Sequence, residues 1–198
     1  MKIFNHLEKF QNNILFYENE DKILYKQIFS FEKKFHKLKQ GKLCLFISNY
    51  SSEFLMTYIS LLRKDLKIMF IDPNTDKKDI KEIIQSYKPL YIFINKKFIY
   101  AINNYEINSE LSENIILENK KDENYEIFKD LALLIGTSGS TGSKKFVRIS
   151  KNNLYSNTKN ISNYLRIQPE DITITTLPLH YTYGLSIVNT HIFSGSGI

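Results

Sequence analysis

The sequence predicts an α/β fold, a parallel-rich sheet with flanking helices, and three observations carry that reading. Apolar runs of strand length recur at 43–47, 67–71 and 90–94. Between them stand segments whose apolar residues repeat three and four positions apart, the spacing of one helical face. A further apolar run, 131–135, stops at Gly136 and gives way to small, hydroxylic residues. Strands and helices in alternation favour parallel pairing, and ligands of such sheets gather at the carboxyl ends of the strands.

Leu24, Ile28, Phe31, Phe35 and Leu38 mark a first helix, ended by Gly41. Leu43 to Ile47 is apolar without interruption, as in a strand covered on both faces. It contains the single cysteine, Cys44, which reads as core and has no internal disulfide partner. Ser51 or Ser52 caps the next helix, with Glu53 in its first turn near the positive dipole end. That helix turns Phe54, Leu55, Tyr58, Ile59 and Leu62 inward. Lys67 to Ile71 is a second strand, stopped by Asp72-Pro73. A helix with Ile80, Ile83, Ile84 and Tyr87 on one stripe follows; Pro89 closes it, and Leu90 to Ile94 is a third strand. Residues 95–130, rich in Asn, Glu and Lys, read as a variable connection with one strand at Ile115-Ile116-Leu117. Beyond the Gly136 loop the chain resumes as a strand up to Ile149. Ser150 then caps a helix bearing Leu154, Thr158, Ile161 and Leu165. Ile172 to Leu177 reads as another strand, and Ile187, Val188, His191 and Phe193 lie on a helix-like segment. No repeat or linker divides residues 1–198, which read as one domain without a second.

Composition narrows the function. At 198 residues, with 42% hydrophobic and 24% charged residues, the chain has the make-up of a soluble globular domain. No apolar run approaches the roughly 18 residues needed to span a bilayer, and the amino terminus lacks a secretory pattern. A cytoplasmic location is the expectation. The net charge of +6 comes from lysine far more than arginine. Lys33, Lys34, Lys37, Lys39 and Lys42 alternate with Phe31, Phe35 and Leu38, which makes them the solvated face of a helix rather than a nucleic-acid surface. The four histidines, His6, His36, His180 and His191, have no metal-ligand spacing.

The segment between the strands at 131 and 146 carries the chemistry. Gly136, Gly139 and Gly142 remove Cβ atoms and permit positive φ, so backbone N–H groups can turn toward one point. Thr137, Ser138, Ser140, Thr141 and Ser143 add hydroxyl donors, and Lys145 adds a positive charge. A donor cluster without acidic residues suits a polyphosphate. A Gly/Ser-rich surface loop is the plainer reading. Walker A and G-x-G-x-x-G spacings both fail: Thr141 stands five positions after Gly136, Lys144 five after Gly139, and Ser138 replaces the second glycine of the dinucleotide pattern.

The segment resembles the phosphate loop of the adenylate-forming (AMP-binding) superfamily, which includes acyl-CoA synthetases, peptide-synthetase adenylation domains and luciferases. Their loop reads Thr-Ser-Gly-Ser/Thr-Thr-Gly-x-Pro-Lys-Gly; Thr137 through Gly142 match it, and Lys145 falls on its lysine. Lys144 replaces the proline and Phe146 the glycine. Leu177-Pro178-Leu179-His180-Tyr181-Thr182-Tyr183-Gly184-Leu185 is similar to the acyl-CoA synthetase segment Leu-Pro-Leu-aromatic-His-x-x-Gly-Leu, with Tyr181 on the histidine and His180 on the aromatic. Both side chains either pack at a strand end or border the pocket for the carboxylate, with Gly184 beside them. Leu43 through Pro73 is similar to the start of the family's large domain.

The resemblance implies a partial, N-terminal portion of that large domain over 1–198, with its phosphate loop at 136–145. It implies ATP and Mg²⁺ as cofactors and a small carboxylic acid as substrate, with CoA or a carrier protein as possible acceptor. Thr137, Ser138, Gly139, Ser140, Thr141, Gly142 and Lys145 would hold the phosphates, Lys145 and Thr141 acting in catalysis. The family's Tyr-Gly-x-Thr-Glu segment, ribose-binding aspartate and C-terminal lysine are not in the sequence, and neither are the ligands for Mg²⁺. The expectation is therefore a fragment or truncated product, inactive alone. Two alternatives stand beside the ligase: a non-catalytic phosphate-binding remnant, and a fragment of an amino-acid-activating adenylation domain.

Overall fold

The computed structural model describes residues 2–18, 20–47, 49–98, 102, 104–123, 125–137 and 145–198. In chain order they form β1 (Ile14–Glu18), β2 (Asp21–Leu24), α1 (Lys26–Glu32), β3 (Leu43–Ile47), α2 (Ser52–Arg63), β4 (Lys67–Phe70), α3 (Lys77–Tyr87) and β5 (Tyr91–Asn95). There follow β6 (Tyr105–Glu110), β7 (Asn114–Asn119), β8 (Leu131–Gly136), β9 (Phe146–Ser150), α4 (Lys151–Leu165) and α5 (Thr182–Ser194). Seven strands make one sheet in the order β6-β7-β5-β3-β4-β8-β9. Its centre is parallel, β3 lying between β4 and β5 with β8 beyond β4. Both edges are antiparallel.

The unbroken apolar runs follow from two cores. Cys44 and Phe46 of β3 belong to a core packed with Leu55, Tyr58 and Leu62 of α2, Leu154 of α4 and Val188 of α5. Leu43, Leu45 and Ile47 face a second core with Ile80 and Ile83 of α3. Alternate side chains thus leave on opposite faces, and both faces are buried. Phe46 stacks on Phe93 with ring centroids 4.3 Å apart and meets the edges of Phe54 and Phe70. Burial pushes the Cys44 thiol up to about 12, which leaves it a core apolar group.

Ser51 caps α2, its hydroxyl accepting from the Phe54 N–H at 3.1 Å, and Ser150 caps α4 by accepting from Asn153. Glu53 has a longer reach than its place in the first turn implies. Its carboxylate accepts from the Ser112 N–H and hydroxyl, the Glu113 N–H, and the Asn114 N–H and side-chain amide. The β6–β7 turn is thereby fastened to the amino end of α2.

Three expectations are corrected, and one hairpin was not foreseen. Leu24 lies in β2, paired opposite Ile14, so the first helix begins at Lys26, and past Glu32 it narrows to a 3₁₀ turn. Tertiary pairing overrides the periodic pattern there. Residues 105–119 form the hairpin β6–β7 rather than a loose connection holding one short strand. β7 pairs with β5 and feeds both cores, Ile116 one and Ile115 and Leu117 the other, while β6 is largely polar and exposed. The hairpin β1–β2 carries no strong alternation and escaped the pattern altogether. Ile172–Leu177 forms no strand beyond a single bridge from Ile172 to Gly197, because β-branched residues need a paired neighbour as well as propensity. Separately, Ile198 pairs with β1, its carbonyl accepting from the Tyr17 N–H at 2.8 Å and its N–H donating to the Leu15 carbonyl at 3.0 Å.

Burial raises the Glu53 carboxyl, but the hydrogen bonds from Asn114 and Ser112 together outweigh it, and the net value lies below the ordinary 4.5. A carboxyl depressed by folding stabilises the fold above its unfolded value, and that stability is lost as pH falls through the folded value. Urea unfolding should therefore show stability declining below about pH 4.5. Glu53→Ala should cost about 2–4 kcal/mol near neutrality by stranding several donors, and Glu53→Gln should flatten the acid limb.

Candidate functional site

The sheet register brings the site together. Phe70 of β4 lies opposite Ile135 of β8, so the two parallel strands end side by side and Asp72 and Thr137 leave the sheet together. After β4 the chain turns sharply: Asp72 Oδ1 accepts from the Asn74 N–H at 2.8 Å, and its carbonyl accepts from the Thr75 N–H at 2.9 Å. After β8 the chain returns antiparallel as β9. The neck of this connection is closed by Thr137, whose N–H and hydroxyl both donate to the Lys145 carbonyl, at 3.0 and 3.3 Å. Lys145 is exposed. Phe146, where the family pattern has glycine, packs edge-on against Tyr87 of α3 with centroids 5.4 Å apart, which anchors the exit.

The third wall comes from 175–181. Leu179 is buried, and the Tyr181 N–H donates to the Pro178 carbonyl at 3.1 Å, forming the turn into α5. His180 is half-buried and Tyr181 exposed, their rings 4.5 Å apart. His180 Nε2 lies 3.7 Å from Asp72 Oδ2, too long for a hydrogen bond. Burial lowers the imidazole from its ordinary 6.5, with Asp72 opposing. His180 is therefore a neutral ring at pH 7, able to donate or accept according to its tautomer.

Two cavities meet here. One, of about 450 Å³, is lined by Asp72, Asn74, Thr75, Asp76, Asp79, Gly136, Thr137, Phe146, His180 and Tyr181, with Phe70 and Ile71 at its base. The other, of about 460 Å³, runs behind it past Phe46, Tyr50, Phe54 and Thr175. Phe70, Ile71, Asp72, Asn74, His180 and Tyr181 border both. Of the residues singled out in the sequence, Thr137, His180 and Tyr181 meet around one cleft, and Lys145 lines neither cavity, its carbonyl closing the neck of the loop on Thr137. Gly184 does not line it. A Cβ there would lie 2.7 Å from the Leu177 and Pro178 carbonyls, so its lack of a side chain lets α5 close onto the 177–178 turn. Ser138, Gly139, Ser140, Thr141 and Gly142 lie outside the described residues. Sequence reasoning missed Asp72, Asn74, Tyr50 and Thr175 as cavity residues. The Asp72-Pro73-Asn74 turn was a usable signal, read only as a strand stop; Tyr50 and Thr175 give none without the fold.

A parallel-centred α/β sheet with its cleft at the strand carboxyl ends is the architecture of ligand-binding α/β proteins. A family model described as AMP-binding enzyme matches residues 34–198, and the chain belongs to that family. No curated protein matches the chain by sequence. Among solved structures, apo MatB from Rhodopseudomonas palustris superposes with a TM-score of 0.78 at 18% identity, covering 98% of this chain and 43% of that one. O-succinylbenzoate coenzyme A synthetase (MenE) from Bacillus subtilis in complex with AMP gives 0.76 at 17%, over 98% and 54%. VinN in complex with 3-methylaspartate gives 0.75 at 14%, over 98% and 60%. MatB is also known bound to ATP, and MenE with ATP and a magnesium ion and with the product analogue OSB-NCoA. The chain thus spans about half the length of these structures, and the likeness is one of fold. Among the described residues no helix is long and apolar enough to cross a membrane.

In an NMR titration the His180 ring should have its midpoint below 6.5. Asp72→Asn should move that midpoint further down, because Asp72 is the group favouring the charged ring. Gly184→Ala should lower the melting temperature measurably by forcing the 177–178 turn away from α5.

Proposed function

We propose that this chain is the phosphate- and acid-facing part of an ATP-dependent carboxylate-activating ligase of the acyl-CoA synthetase type. The observation that carries this reading is the single cleft bordered by Thr137, at the neck of the Gly/Ser/Thr loop, and by His180 and Tyr181. In the reaction a carboxylate oxygen attacks the α-phosphorus of ATP, and pyrophosphate leaves with the electron pair of the broken bond. Charge on the leaving group must be met by fixed donors. Thr137, Ser138, Gly139, Ser140, Thr141, Gly142 and Lys145 supply backbone N–H groups, hydroxyls and one ammonium for the β- and γ-phosphates. Magnesium bound with the nucleotide would neutralise phosphate charge. His180 and Tyr181 border the acid. The thiolate of CoA or of a carrier protein then attacks the acyl carbon, the bond to the AMP oxygen breaks, and AMP leaves with that electron pair.

An amino acid as the activated acid is the second reading, favoured by the fold shared with VinN, whose complex holds 3-methylaspartate. The cleft wall formed by Asp72, Asp76 and Asp79 gives such a reading a place for an ammonium group. The Leu177-Pro178-Leu179-His180 segment, closer to the acyl-CoA synthetase pattern, favours the first.

The 198-residue chain should bind ATP and pyrophosphate with similar, modest affinity that weakens as salt rises, since the grip is on phosphate at an exposed loop. Lys145→Ala should weaken both about three- to tenfold. Equal affinity for adenosine would return the loop to an ordinary surface turn. The same chain with ATP, Mg²⁺ and a panel of acids should form no acyl-adenylate by itself. Joined to the remainder of such a ligase, Lys145→Ala and Thr141→Ala should slow ATP–pyrophosphate exchange more than they weaken acid binding.

A further inference from the structure

Among the described residues, the side-chain polar atoms buried without a hydrogen-bond partner are Tyr50 Oη, Ser60 Oγ, Thr175 Oγ1 and His180 Nε2. Tyr50, Thr175 and His180 all line the cavity of about 460 Å³ behind the loop cleft. Buried polar groups are ordinarily satisfied, and leaving one unpaired lowers stability. Three of the four belong to residues that line one cavity; their polar atoms are turned away from its surface and lack a partner there, so a ligand that draws them round would supply one.

The surroundings define that ligand. Phe46, Phe54 and Phe70 give the cavity aromatic walls, and Leu179 adds an aliphatic one. Among the described lining residues there is neither lysine nor arginine, and Asp72 is the carboxylate. An anionic group would therefore find no counter-charge here and would meet one negative charge. Burial raises the Tyr50 hydroxyl and lowers His180, so both groups are neutral near pH 7 and can donate or accept without ionic partners. The volume falls within the range typical of small-molecule pockets.

We propose that this cavity seats the non-reacting end of the carboxylic acid, a compact aromatic or similarly apolar body carrying one neutral hydrogen-bonding group, a hydroxyl or carbonyl, which Tyr50, Thr175 and His180 bind. Side-chain rotation of Tyr50 and Thr175 brings their hydroxyls to that group, while the body stacks among Phe46, Phe54 and Phe70. The shared border of Phe70, Ile71, Asp72, Asn74, His180 and Tyr181 lets the acid's carboxylate emerge beside Thr137. Tyr50 and Thr175 are then specificity-determining residues. The orientation of the acid rests on the carboxylate-activating reading; the cavity's preference for a neutral polar group does not.

The test titrates the 198-residue chain with 4-hydroxyphenylacetate, phenylacetate and 1,4-phenylenediacetate, following heat and the NMR signals of Thr175 and His180. The hydroxylated acid should bind about three- to tenfold more tightly than phenylacetate, with the diacid weakest. Tyr50→Phe and Thr175→Val should each erase most of that preference while leaving phenylacetate affinity and the melting temperature unchanged or higher, because each removes an unpaired buried hydroxyl. Equal affinity for the hydroxylated and plain acids, no binding of any of the three, or a preference untouched in both variants would overturn the inference. ATP binding measured on the same samples separates the two claims. ATP binding retained without hydroxyl preference overturns this inference alone, and hydroxyl preference retained without ATP binding overturns the ligase reading alone.

Discussion

A strand buried on both faces has no room for a polar side chain except at its ends. In this chain that constraint governs β3, β4, β5 and β8, whose residues alternate between two apolar cores. Polar chemistry is displaced to where those strands stop. Because the four are mutually parallel, their carboxyl ends lie along one edge of the sheet. The register of β4 against β8 then decides the rest, since it fixes Asp72 and Thr137 as the first polar residues to leave the sheet. The cleft is a consequence of sheet topology before it is a consequence of any motif.

The same edge contains the amino end of α2, which would otherwise compete for an anion. A helix amino terminus presents unpaired N–H groups and a partial positive charge. Here the chain fills it with its own carboxylate: Glu18 accepts from the Ser52 N–H at 3.0 Å and from the Ser52 hydroxyl at 2.5 Å. Glu53, in the same turn, is committed to the β6–β7 turn. Both carboxylates stabilise the fold, and both keep a phosphate from settling at α2.

How much of this was legible in the sequence depends on the range of the interaction responsible. The central strands, the caps at Ser51 and Ser150, and the end of β8 at Gly136 were legible because each is written within a few residues. The hairpins β1–β2 and β6–β7 were not, because β1, β2 and β6 owe their form to partners rather than to their own alternation. Ile172–Leu177 failed for the opposite reason: it has the composition of a strand, but a single bridge supplies its pairing. Glu53 was placed correctly in a first turn, yet its partners lie about sixty residues away. Of the cleft, Thr137, His180 and Tyr181 came from motif. Tyr50 and Thr175 lie more than a hundred positions apart, and only the packing of 175–181 over β3 and β4 makes them neighbours.

Phe146 illustrates how a departure from a family pattern acquires a physical meaning. Glycine at that position gives a loop exit freedom; phenylalanine gives it a fixed contact, the edge of Tyr87 on α3. Gly136 lies opposite it in the ladder, where a Cβ would stand at ordinary contact distance from the Phe146 ring, 3.7 Å, so the ring does not require glycine there. Together with the paired bonds from Thr137 to the Lys145 carbonyl, the Tyr87 contact holds both ends of the loop. The cleft that Thr137 borders is also lined by Asp72, Asp76 and Asp79, which repel an anion, whereas Lys145 attracts one. In the proposed reading this separation of charge orients the ligand: the polyphosphate keeps to the loop side, and the neutral part of the acid occupies the aromatic cavity behind His180. A substitution that merely loosened the neck would then alter where the phosphates lie without removing a single donor.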